Sequence, residues 1–346
     1  MCNIAGYTGS KQAAPILIEM IKRQEKLDGG LSTGIATIHN GKIYTAKVTG
    51  DADELIKSTD AMNFPGTVGI IHSRPDNNYV EYAHPFISAD KTCALVSNGN
   101  LCMDENLISI RNSVARFLDY HGVKFESEKA FSQSAYPQLK SGNHVAYGDV
   151  FVKTVEFTVN QSKETLPEAM ASASAKLFSD VVNVLISTMS PDNIYVTSIS
   201  RPMNVMVCNG ESYISTSQFG FPQDVNMKSI KSVPHMKSCV IGKGTFDITE
   251  HKVTSGEVIE YSADEYFEYK EAIRRSLKNA PASMDTMGGG IFPVIDRAST
   301  ILRPRVGLVY DILWDLHNEG VLKTYEGEFE IPWLLGIKAK RTFFYI

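Results

Sequence analysis

A cysteine directly after an initiator methionine can become the N-terminal residue, because its small side chain permits methionine removal. This chain opens Met1-Cys2. Removal of Met1 puts a thiol and a free α-amine on one residue. A thiol of pKa near 8.5 is already about a few per cent thiolate at neutral pH. An α-amine of pKa about 7.7–8.0 is suited to take the thiol proton, directly or through water, and to return it to a leaving amine. Two later stretches could serve the same chemistry. Arg74 closes the apolar run Gly69-Ile70-Ile71-His72-Ser73, where its planar fork can grip a carboxylate with two parallel hydrogen bonds. Leu95-Val96-Ser97 ends in Asn98-Gly99, and an Asn side-chain amide with the following Gly N–H can supply two donors to an oxyanion. Taken singly, each has an ordinary reading: an incidental cysteine, a surface ion pair, a β-turn.

Short buried strands are needed to hold such groups. Residues 3–8 read as one, followed by a helix over 12–26 with Ile16, Leu17, Met20 and Ile21 at helical spacing. Thr33–His39 and Ile43–Val48, joined by Asn40-Gly41, read as a hairpin. Val68–Ser73 and Cys93–Ser97 are further strand-like runs, and Leu107–Leu118 patterns as an amphipathic helix. Phe151–Val159 alternates as a strand, Leu166–Met189 has a long helical pattern, and 193–198, 203–208, 211–216, 236–241 and 245–252 read as strands. Strands in two batches flanked by helices predict an α+β layered fold rather than βαβ alternation. Past residue 262 the composition shifts to a charged helix, Ala263–Lys278, then a linker over 280–290 containing Gly288-Gly289-Gly290. A helix over Arg305–Glu319, ending at Gly320, and two strand-like pieces, Val321–Ile331 and Lys340–Ile346, complete the chain. Helix, turn and β-ribbon resemble half of a winged helix-turn-helix unit.

With 43% hydrophobic and 21% charged residues, the 346-residue chain has ordinary globular composition. Its formal net charge of −5 gives no chain-wide attraction to nucleic acid. No apolar stretch reaches membrane-spanning length and no signal peptide precedes the first strand, so a cytoplasmic protein is expected. Cys2, Cys93, Cys102, Cys208 and Cys239 form no C-x-x-C pair. Neither a disulfide framework nor a metal site is implied. The four cysteines other than Cys2 are expected to be buried apolar residues. The Gly288–Gly290 run lacks the lysine of a phosphate loop, and no cofactor is expected.

Order and spacing carry more than any single feature. MCNIAGY, STGIATIHNGKIYTAKVTG, GTVGIIHSR with AHPFIS, and ALVSNGNL occur in that sequence. Together they resemble the glutaminase domain of class II glutamine amidotransferases, as found in glutamine–fructose-6-phosphate transaminase and amidophosphoribosyltransferase. The likeness is clear over residues 2–128 and continues faintly to about 260, through VMVCNGESYISTSQ. It implies the four-layer αββα sandwich of N-terminal-nucleophile hydrolases. It also implies Cys2 as nucleophile and, through its α-amine, general base, with Asn98 and Gly99 as oxyanion hole and Arg74 binding the glutamine carboxylate. His84-Pro85 matches the family's His-Pro and is expected to be structural.

The chain departs from that pattern in several places. Cys2-Asn3 replaces Cys-Gly, and Leu27-Asp28-Gly29-Gly30-Leu31-Ser32 replaces Tyr-Arg-Gly-Tyr-Asp-Ser. Pro75-Asp76-Asn77-Asn78-Tyr79 stands where the family has Trp-Ala-Thr-His-Gly. The family's ammonium-binding Asp falls at Lys129 or Ala130, which leaves Glu126 or Glu128 as substitutes. The sequence therefore divides into an amidotransferase-like domain over 1–262, a helix and linker over 263–290, and a winged-helix-like C-terminal domain over 291–346. Its expected activity is release of ammonia from glutamine or a related amide, with Cys2, Asn98 and Gly99 catalytic and Arg74 and Glu128 binding substrate. An acceptor-domain subunit in another chain and a homo-oligomer are the expected partners; nucleic acid and membrane are not. The competing expectation is a catalytically silent sensor acting through its C-terminal unit, whose acidic helix with Asp311, Asp315 and Glu319 fits docking better than DNA.

Overall fold

The strand periodicity is resolved in three dimensions by two antiparallel sheets lying face to face. A computed structural model describes residues 2–75, 80–128, 135–223, 229–252, 258–284, 291, 303–331, 334 and 336–346. The first sheet has seven strands: β1 (Asn3–Thr8), β2 (Ser32–His39), β3 (Lys42–Thr49), β4 (Val68–Arg74), β9 (Asn204–Cys208), β10 (Glu211–Ser215) and β11 (Ile230–Ser232), in the order β11-β9-β10-β1-β4-β2-β3. The second has six: β5 (Phe86–Ile87), β6 (Cys93–Asn100), β7 (Asp180–Ser187), β8 (Ser190–Ser198), β12 (Lys237–Gly242) and β13 (Thr245–Lys252), in the order β13-β12-β8-β7-β6-β5.

Neighbouring residues along each central strand serve different cores, as the alternation of a pleated strand requires. Ile4, Ile70, Ala94 and Val184 point into the layer between the sheets. Their neighbours Ala5 and Ile71 face outward onto α1 (Ala13–Asp28) and α2 (Ala52–Ser58). Leu95 and Leu185 face the opposite way, onto α3 (Glu105–Tyr120), α4 (Tyr147–Ser162) and α5 (Leu166–Lys176). The layers run helix, sheet, sheet, helix.

Two sequence expectations are corrected. Phe151–Val159, expected as a strand, lies inside α4. Its β-branched residues mimic alternation, but Tyr147, Val150, Phe151, Thr154, Val155 and Thr158 recur at helical spacing and are buried. The long helix expected over Leu166–Met189 stops at Lys176, and Asp180–Ser187 is instead β7. That strand is covered on both faces, so its run of apolar residues shows no period to separate it from a buried helix.

Beyond these layers, α6 (Ala263–Asn279), β14 (Ala282–Ser283), α7 (Arg305–Asn318), β15 (Lys323–Glu330) and β16 (Lys338–Tyr345) pack together, with a three-stranded antiparallel sheet in the order β14-β16-β15. Ser262 and Glu265 form a reciprocal capping box at the start of α6. Ile273 and Leu277 of α6 share one apolar cluster with Ile312, Leu313 and Leu316 of α7, with Phe344 and with Leu27 of α1. The helix placed with the linker is thus packed into the C-terminal unit. The Gly288–Gly290 run lies outside the described residues.

Candidate active site

β1 lies between β10 and β4, with Asn3 opposite Ser73, so Cys2 and Arg74 emerge at the same end of adjacent strands. From the facing sheet, β6 delivers Asn98 to that end. The Cys2 amide nitrogen donates to Asn98 Oδ1 at 3.1 Å, and Asn98 Nδ2 donates to the Cys2 carbonyl at 2.7 Å. This reciprocal pair fixes the cysteine backbone against a carboxamide that is 2% exposed. The next residue must be glycine: a Cβ on Gly99 would lie 2.0 Å from the Asp180 carbonyl oxygen across the β6–β7 ladder.

Cys2, Arg74 and Gly99 line one cleft of ≈ 80 Å³, with Tyr82, His84 and Tyr147 among the other walls. Arg74 is largely buried and donates through Nη1 to the Tyr82 carbonyl, which holds its fork at the cleft. The first turn of α4 opens there too. Ala146, Tyr147 and Gly148 line the cleft, and the Ala146 N–H donates to Ser127 Oγ at 2.8 Å. The first turn also holds the buried Asp149, paired with Lys153, so the Arg74 guanidinium is the group that suits the cleft to a carboxylate. Gly148 permits this approach, since a Cβ there would lie 2.7 Å from His84 Nε2.

His84, expected to be structural, is part of the wall. Its ring packs 4.3 Å from that of His72, centroid to centroid. Burial pushes the His72 pKa down to about 3, with the Arg74 charge acting in the same direction. Burial likewise holds His84 well below the ordinary value. Burial thus favours the neutral form of both rings, and His72 Nε2 donates to the Ser97 carbonyl at 3.1 Å. Tyr82 and Tyr136 stack with centroids 5.6 Å apart, and together with Leu101 and Val181 give the cleft an apolar side. These residues carry no local signal in the sequence, and Tyr147 lies just before the run misread as a strand.

Glu128 does not reach the cleft. It is exposed and accepts from Asn143 Nδ2 at 3.0 Å. Glu126 also turns away, pairing with Lys47 Nζ at 3.1 Å and accepting from the Ile87 amide. Lys129, Ala130 and residues 76–79 lie outside the described residues. Among the described lining residues none is a carboxylate. Nor, among the described residues, do three or more His, Cys, Asp or Glu side chains gather as a metal site. Burial raises the thiol of Cys93 to about 11 and that of Cys239 to about 12. Cys102 and Cys208, expected to be buried, are half-buried like Cys2.

The fold is similar to that of class II glutamine amidotransferase domains. In sequence, the chain is 27% identical over 247 residues to a glutamine–fructose-6-phosphate aminotransferase of Chlamydia abortus, covering 70% of this chain and 36% of the relative. It is 28% identical over 223 residues to that of Caldanaerobacter subterraneus subsp. tengcongensis, covering 62% and 31%. The chain thus spans about a third of these relatives' length. In structure it is similar to the glutamine phosphoribosylpyrophosphate amidotransferase of B. subtilis, with a TM-score of 0.60 at 15% identity, covering 80% of this chain and 58% of that one. A second structure, of the allosteric regulatory enzyme of purine biosynthesis, matches with a TM-score of 0.57 at 15% identity over 84% of this chain and 55% of that one. No protein-family model matches. Among the described residues no helix is long and apolar enough to cross a membrane.

Proposed function

We propose that this chain is a cysteine amidohydrolase that releases ammonia from glutamine or a related carboxylate-bearing amide. The observation that carries this reading is the reciprocal pairing of Asn98, just behind the cleft wall, with Cys2, which lines the cleft together with Arg74 and Gly99. With Met1 removed, the Cys2 α-amine takes the thiol proton, and Asn98 Oδ1 keeps that amine oriented. The thiolate attacks the amide carbon. The Gly99 N–H and the second hydrogen of Asn98 Nδ2 are the proposed donors to the resulting oxyanion. The amine then protonates the departing nitrogen, so ammonia leaves and a thioester on Cys2 remains for water to hydrolyse. Arg74 anchors the substrate carboxylate.

The ammonia acceptor belongs to a separate subunit in this reading, and the chain acts as a cytoplasmic oligomer. The C-terminal unit over residues 291–346 is winged-helix-like in this reading, which is supported by the preceding β14 pairing with the last strand, β16, rather than with β15. Its role is docking rather than nucleic-acid binding, since α7 carries Asp311 and Asp315.

The deciding experiment combines intact mass with labelling by a diazo-ketone analogue of glutamine. A protein beginning at Cys2, with one label on Cys2 and ammonia released from an amide substrate, is the expected result. Native protein that keeps Met1, or label spread equally over Cys102 and Cys208, leaves the silent-sensor reading instead.

A further inference from the structure

We infer that Arg341, on the final strand, is a positioning residue for the amide site: through the loop between α1 and β2 it fixes the end of β4 that carries Arg74. This rests on the amide-cleaving reading above.

Arg341 is only 2% exposed. Its Nη1 donates to the Gly29 carbonyl at 2.7 Å, and its Nη2 lies 3.9 Å from Asp28 Oδ1, whose side chain is equally buried. The loop it grips carries one of the departures from the family pattern, Leu27-Asp28-Gly29-Gly30-Leu31-Ser32. Leu27 packs into the apolar cluster of α6 and α7, and Leu31 packs with Ile331 and Ala339. The loop side chains therefore belong to the C-terminal unit.

The loop backbone belongs to the site. Gly30 N–H donates to Ser73 Oγ at 2.8 Å, and Leu31 N–H donates to the Arg74 carbonyl at 3.0 Å. Ser32 then pairs with Arg74 in the β2–β4 ladder. Gly29 sits so close that a Cβ there would lie 2.9 Å from Asn3 Nδ2 and 3.0 Å from Ser73 Oγ. Asn3 follows the proposed nucleophile and Ser73 precedes the proposed carboxylate anchor. A shift of this loop moves both. Reaction geometry is sensitive at this scale, since a displacement of about 1 Å can cost on the order of 10²-fold in rate.

A second part of the unit approaches from the Cys2 side. Gln218 Nε2 donates to Asp311 of α7 at 2.7 Å, and Phe219 packs edge-on against Trp314. The neighbouring Tyr310 is buried, and burial is the main cause of its raised pKa, with the Arg201 charge opposing the rise and Cys2 adding a smaller part to it.

The test uses the full chain and two electrophiles at Cys2. The diazo-ketone glutamine analogue carries the carboxylate that Arg74 would hold; iodoacetamide carries none. In Arg341→Met the concentration of diazo-ketone giving half-maximal labelling rate should rise about tenfold or more, with iodoacetamide labelling of Cys2 unchanged and partial recovery in Arg341→Lys. Ser73→Ala cuts the same path without removing a buried charge, and should reproduce the rise if Arg341→Met does not fold. Lys26→Ala, at the rim of the same contact, should change neither rate. An unchanged diazo-ketone response in folded Arg341→Met or Ser73→Ala overturns the inference. So does an equal loss of both labelling reactions, which marks a general structural role. No diazo-ketone labelling of the unsubstituted protein sinks the amide reading along with it, which distinguishes the two failures.

Discussion

The two sides of the cleft are built differently. On one side Cys2, Asn98 and Gly99 sit on the central strands of the two sheets, tied by hydrogen bonds of 2.7 and 3.1 Å between main chain and a single carboxamide. On the other side Arg74, itself at the end of β4, is held by the Tyr82 carbonyl, and the remaining walls come from loops and helix packing: His84, the first turn of α4 and the Tyr82–Tyr136 stack. The first side keeps the residues of the amidotransferase pattern. The second keeps Arg74, while among the described lining residues none is a carboxylate that could pair an ammonium. Groups fixed by sheet register are locked by many ladder bonds, whereas recognition carried on loops can change without disturbing them.

Replacing the nucleophile tests the first side most severely. Cys2→Ala should lower amide release by about 10⁴-fold or more while leaving the fold intact, as followed by an ammonia assay and thermal unfolding. Residual turnover near that of the unsubstituted protein would move the chemistry elsewhere. Asn98→Ala should lower kcat by about 10²–10³ with little change in KM, because an oxyanion exists only along the reaction path. A pure KM effect would place Asn98 on the recognition side instead.

The second side is tested with substrate analogues. A buried ammonium without a carboxylate partner costs on the order of several kcal/mol. An N-acylated or γ-substituted glutamine should therefore be cleaved in preference to free glutamine. Glu126→Gln and Glu128→Gln should leave KM for either substrate within about twofold, since both side chains turn away from the cleft. A sharp rise of KM in Glu128→Gln would restore that residue to the site.

The smallest effect concerns the seam between the units. Glu25 lines a second cleft, between the α1–β2 loop and β16, and burial raises its pKa from 4.5 to about 7, with Asp51 and Asp53 adding to the rise and the Ala52 N–H opposing it. The folded state thus holds this proton more tightly than the unfolded chain. The associated stability is complete below about pH 4.5 and is lost as pH rises through about 7. Glu25→Gln should remove that slope, gaining on the order of 1–3 kcal/mol at pH 8 relative to pH 4.5 in urea unfolding. An unaltered slope would assign the pH dependence to other groups.

The sequence by itself determined the strands of the first sheet other than β11, and the Asn40-Gly41 hairpin; that Cys2, Arg74, Asn98 and Gly99 belong together followed from the resemblance in motif order. Short buried strands with clear ends leave little choice of register, and the site residues sit at those ends. The tertiary structure alone decided what local pattern could not. Tyr147–Ser162 is helical although its β-branched residues alternate, because its buried stripe needs partners on α5 and β6 to become visible. Asp180–Ser187 is a strand because both its faces are covered. His84 and Tyr147 enter the cleft, and Glu128 leaves it, through loop paths that no periodicity encodes. The contact between Arg341 and Gly29 joins residues 312 positions apart, and its strength comes from burial, which exists only once the C-terminal unit has docked.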